Sequence, residues 1–298
     1  MAYNWLGTGF IPLAITYSLS SIALFIGSIT DFKTREVPDW VNYGMVFSGL
    51  GLNLLFTAIY SNPSFIINSI VGLAIFFGIA YIMFYEGQWG GGDSKMLMGM
   101  GAMIGIDVSK FSTQFLSGFF INALLIGAIY ALLWSFYLVL KNTKRFWKEF
   151  KKTLLKKNIV KIKKMLLIFL ILLLALFFMF NIAYVKIIIL LVAFLSLSTF
   201  YLWIFVKAIE RSSMYRLVEP SKLTEGDWIV KDVYVNGRYI TGPKDLGISK
   251  RQIKKLIELY KKRKVRKILI KEGIPFVPSF FVAFVVTLWV GNPLIWLI

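Results

Sequence analysis

Residues 166–207 read LLIFLILLLALFFMFNIAYVKIIILLVAFLSLSTFYLWIFVK. One crossing of a bilayer takes about 20 apolar residues. This run is too long for one helix, and Asn181 and Tyr184 punctuate it near its middle. The expectation is a hairpin of two membrane helices, 166–183 and 185–207. Working outward by the same rule gives further spans at 7–30, 41–60, 65–86, 112–140 and 276–298. A shorter apolar stretch, 94–107, crosses only as a thin span in a locally narrowed bilayer. The predicted fold class is an α-helical polytopic membrane protein with six to eight spans, eight preferred.

Composition agrees. The chain is 58% hydrophobic and 16% charged, where a soluble domain carries about 25% charged residues. Its net charge is +19. Such a balance suits cytoplasmic loops of a membrane protein, and no nucleic-acid-binding module accompanies it, so no nucleic-acid partner is expected. There is no His and no Cys. That excludes Ser–His and Cys–His catalysis, thiolate or imidazole zinc sites and HExxH chemistry. No metal and no cofactor is expected, and any hydrolase here works with carboxylates, Lys, Ser, Thr or Tyr. The first apolar segment lacks a basic preface and reads as a retained span.

Basic residues orient the spans. The stretch 141–165 holds 11 Lys or Arg and one acid, Glu149, and 208–272 holds 17 basic and eight acidic residues. Both are expected in the cytoplasm, which puts 31–40 and 87–93 on the same side and both termini outside. The predicted outer loops contain only Lys110 and Lys186 as basic residues. Within 208–272, Asn236-Gly237 between β-favouring runs predicts a hairpin of Trp228–Val235 with Arg238–Thr241. Ser249 predicts an N-cap, with Ile253, Leu256, Ile257 and Tyr260 at helical spacing, and Val265–Ile270 predicts a last strand. The expected organisation is a catalytic membrane domain (1–140), a basic cytoplasmic linker (141–165), a membrane hairpin (166–207), a small cytoplasmic α+β domain (208–272) and a last membrane helix (273–298).

Acids near the spans are few. Asp31 opens the string Asp31-Phe32-Lys33-Thr34-Arg35-Glu36-Val37-Pro38-Asp39-Trp40, and Asp93 sits in Gly87-Gln88-Trp89-Gly90-Gly91-Gly92-Asp93-Ser94-Lys95. An ionisable group at a span end is a functional candidate. Taken singly, Asp31 also reads as a solvated helix end and Asp93 as an N-cap. Three consecutive glycines beside a membrane helix either offer an exposed backbone edge on which an extended peptide can pair, or permit close helix packing.

The two strings together resemble the type IV prepilin peptidase family of GxGD membrane aspartic proteases, and within it the archaeal preflagellin peptidases. The first motif falls on Asp31, Lys33, Arg35, Glu36, Val37, Pro38, Asp39 and Trp40, the second on Gly90, Gly91, Gly92, Asp93 and Lys95. Residues 271–278 (KEGIPFVP) also resemble the lead-in to the last span of archaeal members. The resemblance implies that Asp31 and Asp93 are catalytic, with Gly90, Gly91, Gly92, Lys95, Lys33, Arg35, Glu36, Pro38 and Asp39 binding substrate or supporting the site. It implies single-span membrane precursors as partners, archaellins or pilin-like proteins with a short basic leader, cleaved at the cytoplasmic membrane edge.

Without Cys the chain lacks the paired CxxC motifs of bacterial members, which argues for the archaeal type and against N-methyltransferase activity. The extra hairpin 166–207 leaves archaellin and pilin-like substrates both open. Glu36, Asp39 and Glu86 either attract the leader's cations or pair with Lys33, Arg35 or Lys95. Lys95 either tunes Asp93 or snorkels to the interface, and the cations of 141–165 are expected to meet anionic lipid headgroups. Two other enzyme or carrier classes remain in view. An intramembrane protease of the presenilin kind shares GxGD but carries its first Asp inside an apolar span. A transporter with two membrane-edge acids would show repeats or broken helices. A non-catalytic membrane scaffold is the third.

Overall fold

A computed structural model describes residues 10–109 and 114–296. The expected span starts at 7 and 112, the span end at 298, and Lys110 lie outside the described residues. Ten α-helices and five short strands follow one another in those residues. The chain divides into two units, Met1–Leu133 with Gly273–Ile298, and Trp134–Glu272.

The first unit contains α1 (Phe10–Thr34), α2 (Asp39–Tyr60), α3 (Ser64–Tyr85), α4 (Gly91–Ile104), most of α5 (Phe115–Lys141) and α10 (Val277–Val290). α1, α2, α3 and α5 are long and apolar enough to cross a membrane. α4 has only 14 residues, a length of about 21 Å against a hydrocarbon core of about 30 Å. It is nonetheless the most buried helix of the unit: Met96, Leu97, Gly99, Met100, Gly101, Ala102 and Met103 are all inside. Glycine makes that possible. A Cβ on Gly49 of α2 would lie 2.7 Å from the backbone of Ala102 and Met103, and one on Gly99 would lie 2.7 Å from the Met45 Cβ. Gly72 of α3 and Gly101 of α4 meet backbone to backbone. Small residues let membrane helices pack this closely.

A helix ending inside an apolar bundle leaves orphan carbonyls that water cannot reach. α4 stops at Gly105, whose φ of +76° suits glycine. Its last carbonyls find side-chain donors. Asn53 Nδ2 donates to Ala102 O at 3.3 Å and Met103 O at 3.2 Å, and Ser69 Oγ also donates to Ala102 O. The expected span 94–107 is therefore a helix that starts three residues earlier and is capped from both neighbours. The helix in the expected span 276–298 is shorter than that span. Gly291, at φ +81°, ends α10 at Val290, and a 3-10 turn (Pro293–Trp296) follows. Asn122 Nδ2 donates to Thr287 Oγ1 at 2.9 Å and Gly291 O at 3.3 Å, which secures that end against α5.

The second unit holds α6 (Thr143–Leu154), α7 (Lys157–Met179), α8 (Ala183–Ile209), a π-helical turn (Glu210–Met214) and an α+β subdomain. α7 and α8 form the expected hairpin, with extended backbone at Phe180 and Ile182 between them. Both are long and apolar enough to span, which makes six such helices among the described residues. The basic stretch 141–165 is largely helical. It folds as α6 and the first two turns of α7, because Lys and Arg are good helix formers and α6 has an apolar face to bury. Phe146 packs with Ala208 and Ile209, and Phe150, Phe205 and Met214 pack against that cluster.

In the subdomain, β1 (Tyr215–Val218), β5 (Ile268–Lys271) and β2 (Trp228–Ile229) form an antiparallel sheet in the order β1-β5-β2. β3 (Val233–Val235) and β4 (Arg238–Thr241) form a separate hairpin, with Asn236 at φ +51° and Gly237 at φ +73° in its turn. The single strand expected over 228–235 is thus two, which serve different sheets. α9 (Lys250–Lys261) begins in a capping box: Gln252 N donates to Ser249 Oγ at 3.3 Å, and Ser249 N donates to Gln252 Oε1 at 2.8 Å. It lays Ile253 and Leu256 on Ile229, Ile240, Ile268 and Ile270. Ser249→Ala is expected to cost the subdomain about 1 kcal/mol, read as faster hydrogen exchange across α9.

Candidate active site

Asp31 lies on the last turn of α1 and is buried, 6% exposed, although Phe32, Lys33 and Thr34 beside it face outward. A carboxylate in such a place needs donors, and α10 supplies one. The backbone N–H of Val277, the first residue of that helix, donates to Asp31 Oδ2 at 3.0 Å. The orphan N–H groups and the positive end of α10 thus meet an anion from a residue 246 positions away.

Asp93 occupies the first turn of α4. Its Oδ2 accepts from Gly90 N at 3.0 Å, which closes the helix start. Of the three glycines, Gly90 is extended and Gly91 and Gly92 are already helical. A Cβ on Gly92 would come within 3.3 Å of Val37, so this glycine lets the loop after α1 cross over the start of α4. Gly91 has open surroundings, with Phe84 3.8 Å from where its Cβ would stand. Close packing against Val37 is thus one requirement for glycine at position 92. The same crossing brings the two motifs together, and Asp93 is close enough to Asp31 to feel its charge.

The remaining expected residues divide into two groups. Lys95 does not turn to Asp93. Its Nζ is 2.6 Å from Asp39 Oδ1 and stands 5.2 Å from the centre of the Tyr43 ring, tying α4 to the first turn of α2. Pro38 is the N-cap of that helix. Lys33, Glu36 and Glu86 are exposed at the rim. Arg35 turns inward: its Nη1 is buried and its charge acts on Asp31 and on Tyr130 of α5. It does so from a left-handed backbone, φ +63°, a conformation costing about 1–2 kcal/mol outside glycine. Strain of that kind gathers where structure serves a site.

The expected site residues did not include Tyr130, Trp89 or the Phe276–Val277 pair, although Trp89 stands in the second string and the pair in the segment 271–278. Trp89, 5% exposed, stacks with Phe276 (centroids 6.1 Å) and Phe280 (5.4 Å), so the loop before Asp93 rests on the start of α10. Its adjacency to the second motif was the available signal. For Tyr130 there was none, since it sits in an apolar run. Among the described residues no group of three or more His, Cys, Asp or Glu gathers to hold a metal ion.

Two partly desolvated carboxylates at the ends of membrane helices, each held by a backbone N–H, define a membrane protein with a carboxylate-pair site. Residues 18–132, which contain both acids, match the type IV leader peptidase family. The chain is 41% identical over 90 residues to a preflagellin peptidase of Methanocaldococcus jannaschii and 43% over 90 residues to one of Methanococcus voltae. Each match covers 30% of this chain and 38% of the relative. It is also 23% identical over 145 residues to prepilin peptidase EppA of Methanothermobacter thermautotrophicus, covering 44% of this chain and 38% of that one. The chain thus matches well under half the length of these curated relatives. No solved structure matches it.

Proposed function

We propose that this protein is a membrane aspartic endopeptidase that removes the short basic leader from archaellin or pilin-like precursors at the cytoplasmic edge of the membrane. The observation that carries the reading is the convergence of Asp31 and Asp93, from separate motifs, at adjoining helix ends. Similarity to preflagellin and prepilin peptidases supports the substrate class. The strongly basic stretches 141–165 and 208–272 support a cytoplasmic position for this edge.

The chemistry follows from the pair. Two close carboxylates share one proton, because both cannot easily ionise together. The ionised member takes a proton from water as that water attacks the scissile carbonyl. The protonated member polarises the carbonyl oxygen, and its proton goes on to the leaving amine. A precursor's apolar helix lies among the spans, so that its leader junction stops at the depth of the aspartates. In this reading the exposed Glu36 and Glu86 attract leader cations, while Asp39 is engaged by Lys95.

Purified full-length protein, mixed with an archaellin precursor and a pilin-like precursor, is expected to release one product cut at the leader's end. Cleavage within the apolar helix would favour an intramembrane protease of the presenilin kind. No cleavage of either by well-folded protein would overturn the peptidase reading. Arg35 gives a second test. Arg35→Gly is expected to stabilise the fold by up to about 1 kcal/mol, since glycine takes the left-handed conformation freely, while cleavage falls about 10-fold. Thermal unfolding and turnover measured on the same sample separate the two effects.

A further inference from the structure

Four cations converge at the base of the α7–α8 hairpin. Lys152 stands in the last turn of α6, Lys156 is the extended residue just before α7, Lys207 stands in the last turn of α8, and Arg211 is the second residue of the π-helical turn. Apolar packing holds these ends together. Phe146 and Phe150 of α6 lie against Phe205, Ala208 and Ile209, and Ile159 of α7 packs with Phe200 and Ile204 of α8. Burial, together with the charges of Arg211, Lys152 and Lys207, holds the Lys156 ammonium below its usual lysine value, and Glu149 is the one carboxylate acting the other way. Among the described residues no ion pair joins any of the four to an acid. Like charges gathered by packing repel one another until an anion arrives.

Their depth says which anion. The apolar run of α7 begins at Met165, two turns beyond Lys156, and that of α8 ends at Val206, immediately before Lys207. Lys207 Nζ lies 5.3 Å from the centre of the Trp203 ring, and Trp147 on α6 is half exposed. Tryptophan favours the headgroup level of a bilayer. A basic leader peptide would be repelled here, and a nucleic acid would need the cations to stand clear of the membrane surface. We propose that Lys152, Lys156, Lys207 and Arg211 form a binding site for the phosphate of an anionic lipid headgroup, which fixes α6 across the base of the α7–α8 hairpin.

The test uses the full chain in nanodiscs of phosphatidylcholine alone or with phosphatidylglycerol. Retained lipid is read by native mass spectrometry and stability by thermal unfolding. Wild type is expected to retain phosphatidylglycerol over phosphatidylcholine by about 10-fold or more, each cation near an anionic surface being worth about 1 kcal/mol. Changing all four residues to Gln is expected to abolish that preference. Changing Lys250, Lys254, Lys255 and Lys261 of α9 to Gln, an equal loss of charge, is expected to preserve it. Equal losses in the two variants would show a diffuse charge effect and overturn the site. So would millimolar inorganic phosphate or an oligonucleotide that protects the protein as well as the lipid does. The single variant Lys156→Gln serves if the fourfold one does not fold. Relieved of repulsion, it is expected to unfold at higher temperature than wild type in phosphatidylcholine and to gain less from phosphatidylglycerol. An unchanged response to both lipids would overturn the proposal.

Discussion

Asp31→Asn and Asp93→Asn are each expected to lower precursor cleavage about 1,000-fold or more, the scale on which a positioned acid or base contributes. The structure separates this loss from misfolding. An asparagine at 31 keeps an oxygen to accept the Val277 N–H, and one at 93 keeps an oxygen for the Gly90 N–H. The start of α10 and the start of α4 therefore retain their caps. What disappears is the exchangeable proton of the pair, and with it either the base that activates water or the acid that serves the leaving amine. Because the pair works only when it holds one proton, wild-type activity is expected to be bell-shaped in pH, with limbs that belong to the pair and not to either residue. Quantifying shortened precursor by gel or mass, with unfolding temperature measured alongside, checks both statements. Residual activity above a tenth of wild type in either variant, in a sample of unchanged stability, would remove that aspartate from the mechanism.

The acids were legible in the sequence because membrane-edge carboxylates are rare and each stood in its own motif. The membrane architecture was legible for the same kind of reason: runs such as 166–207 have only one inexpensive environment. The Asn236-Gly237 hairpin and the Ser249 cap were legible because turn and cap chemistry is local. What escaped was set by distance in the chain. Nothing near Asp31 announces that Val277 will donate to it. The Lys95–Asp39 pair, by contrast, was among the pairings open in the sequence, and it forms because a helix points residues two apart in different directions, turning Lys95 away from Asp93. The glycine run left a substrate edge and close packing both open, and only the fold shows that Gly92 is needed where Val37 crosses. The C-terminal ends of α4 and α10 were expected too late because hydropathy continues past the points where Gly105 and Gly291 turn the backbone left-handed. Strand β1, in the charged YRLV stretch, was missed because its pairing with β5 is non-local.

A valine at Gly101 is expected to be among the most damaging single substitutions in the membrane unit, although no motif contains that residue. Its Cβ would stand 2.8 Å from the Gly72 carbonyl carbon and 2.9 Å from the Phe76 Cβ, closer still to the Gly72 oxygen. Two of those obstacles are backbone, so no rotamer change relieves them, and α3 and α4 must move apart. Overpacking a well-filled core costs about 1–3 kcal/mol when side chains can yield, and about 3 kcal/mol or more is expected here. The consequence reaches the site, because α4 carries Asp93 on its first turn and is held at its other end by Asn53 and Ser69. Shifting the helix breaks those caps, exposing buried carbonyls, and draws Asp93 away from Asp31. Cleavage is therefore expected to vanish together with the folded protein's thermal transition. Gly91→Ala is the contrasting case. Its new methyl group meets only Phe84, at 3.8 Å, so stability is expected to change by less than about 1 kcal/mol, within the range of ordinary helix substitutions. If Gly101→Val unfolded at the wild-type temperature while Gly91→Ala did not, the close packing of α3 on α4 would not be what holds Asp93 in place.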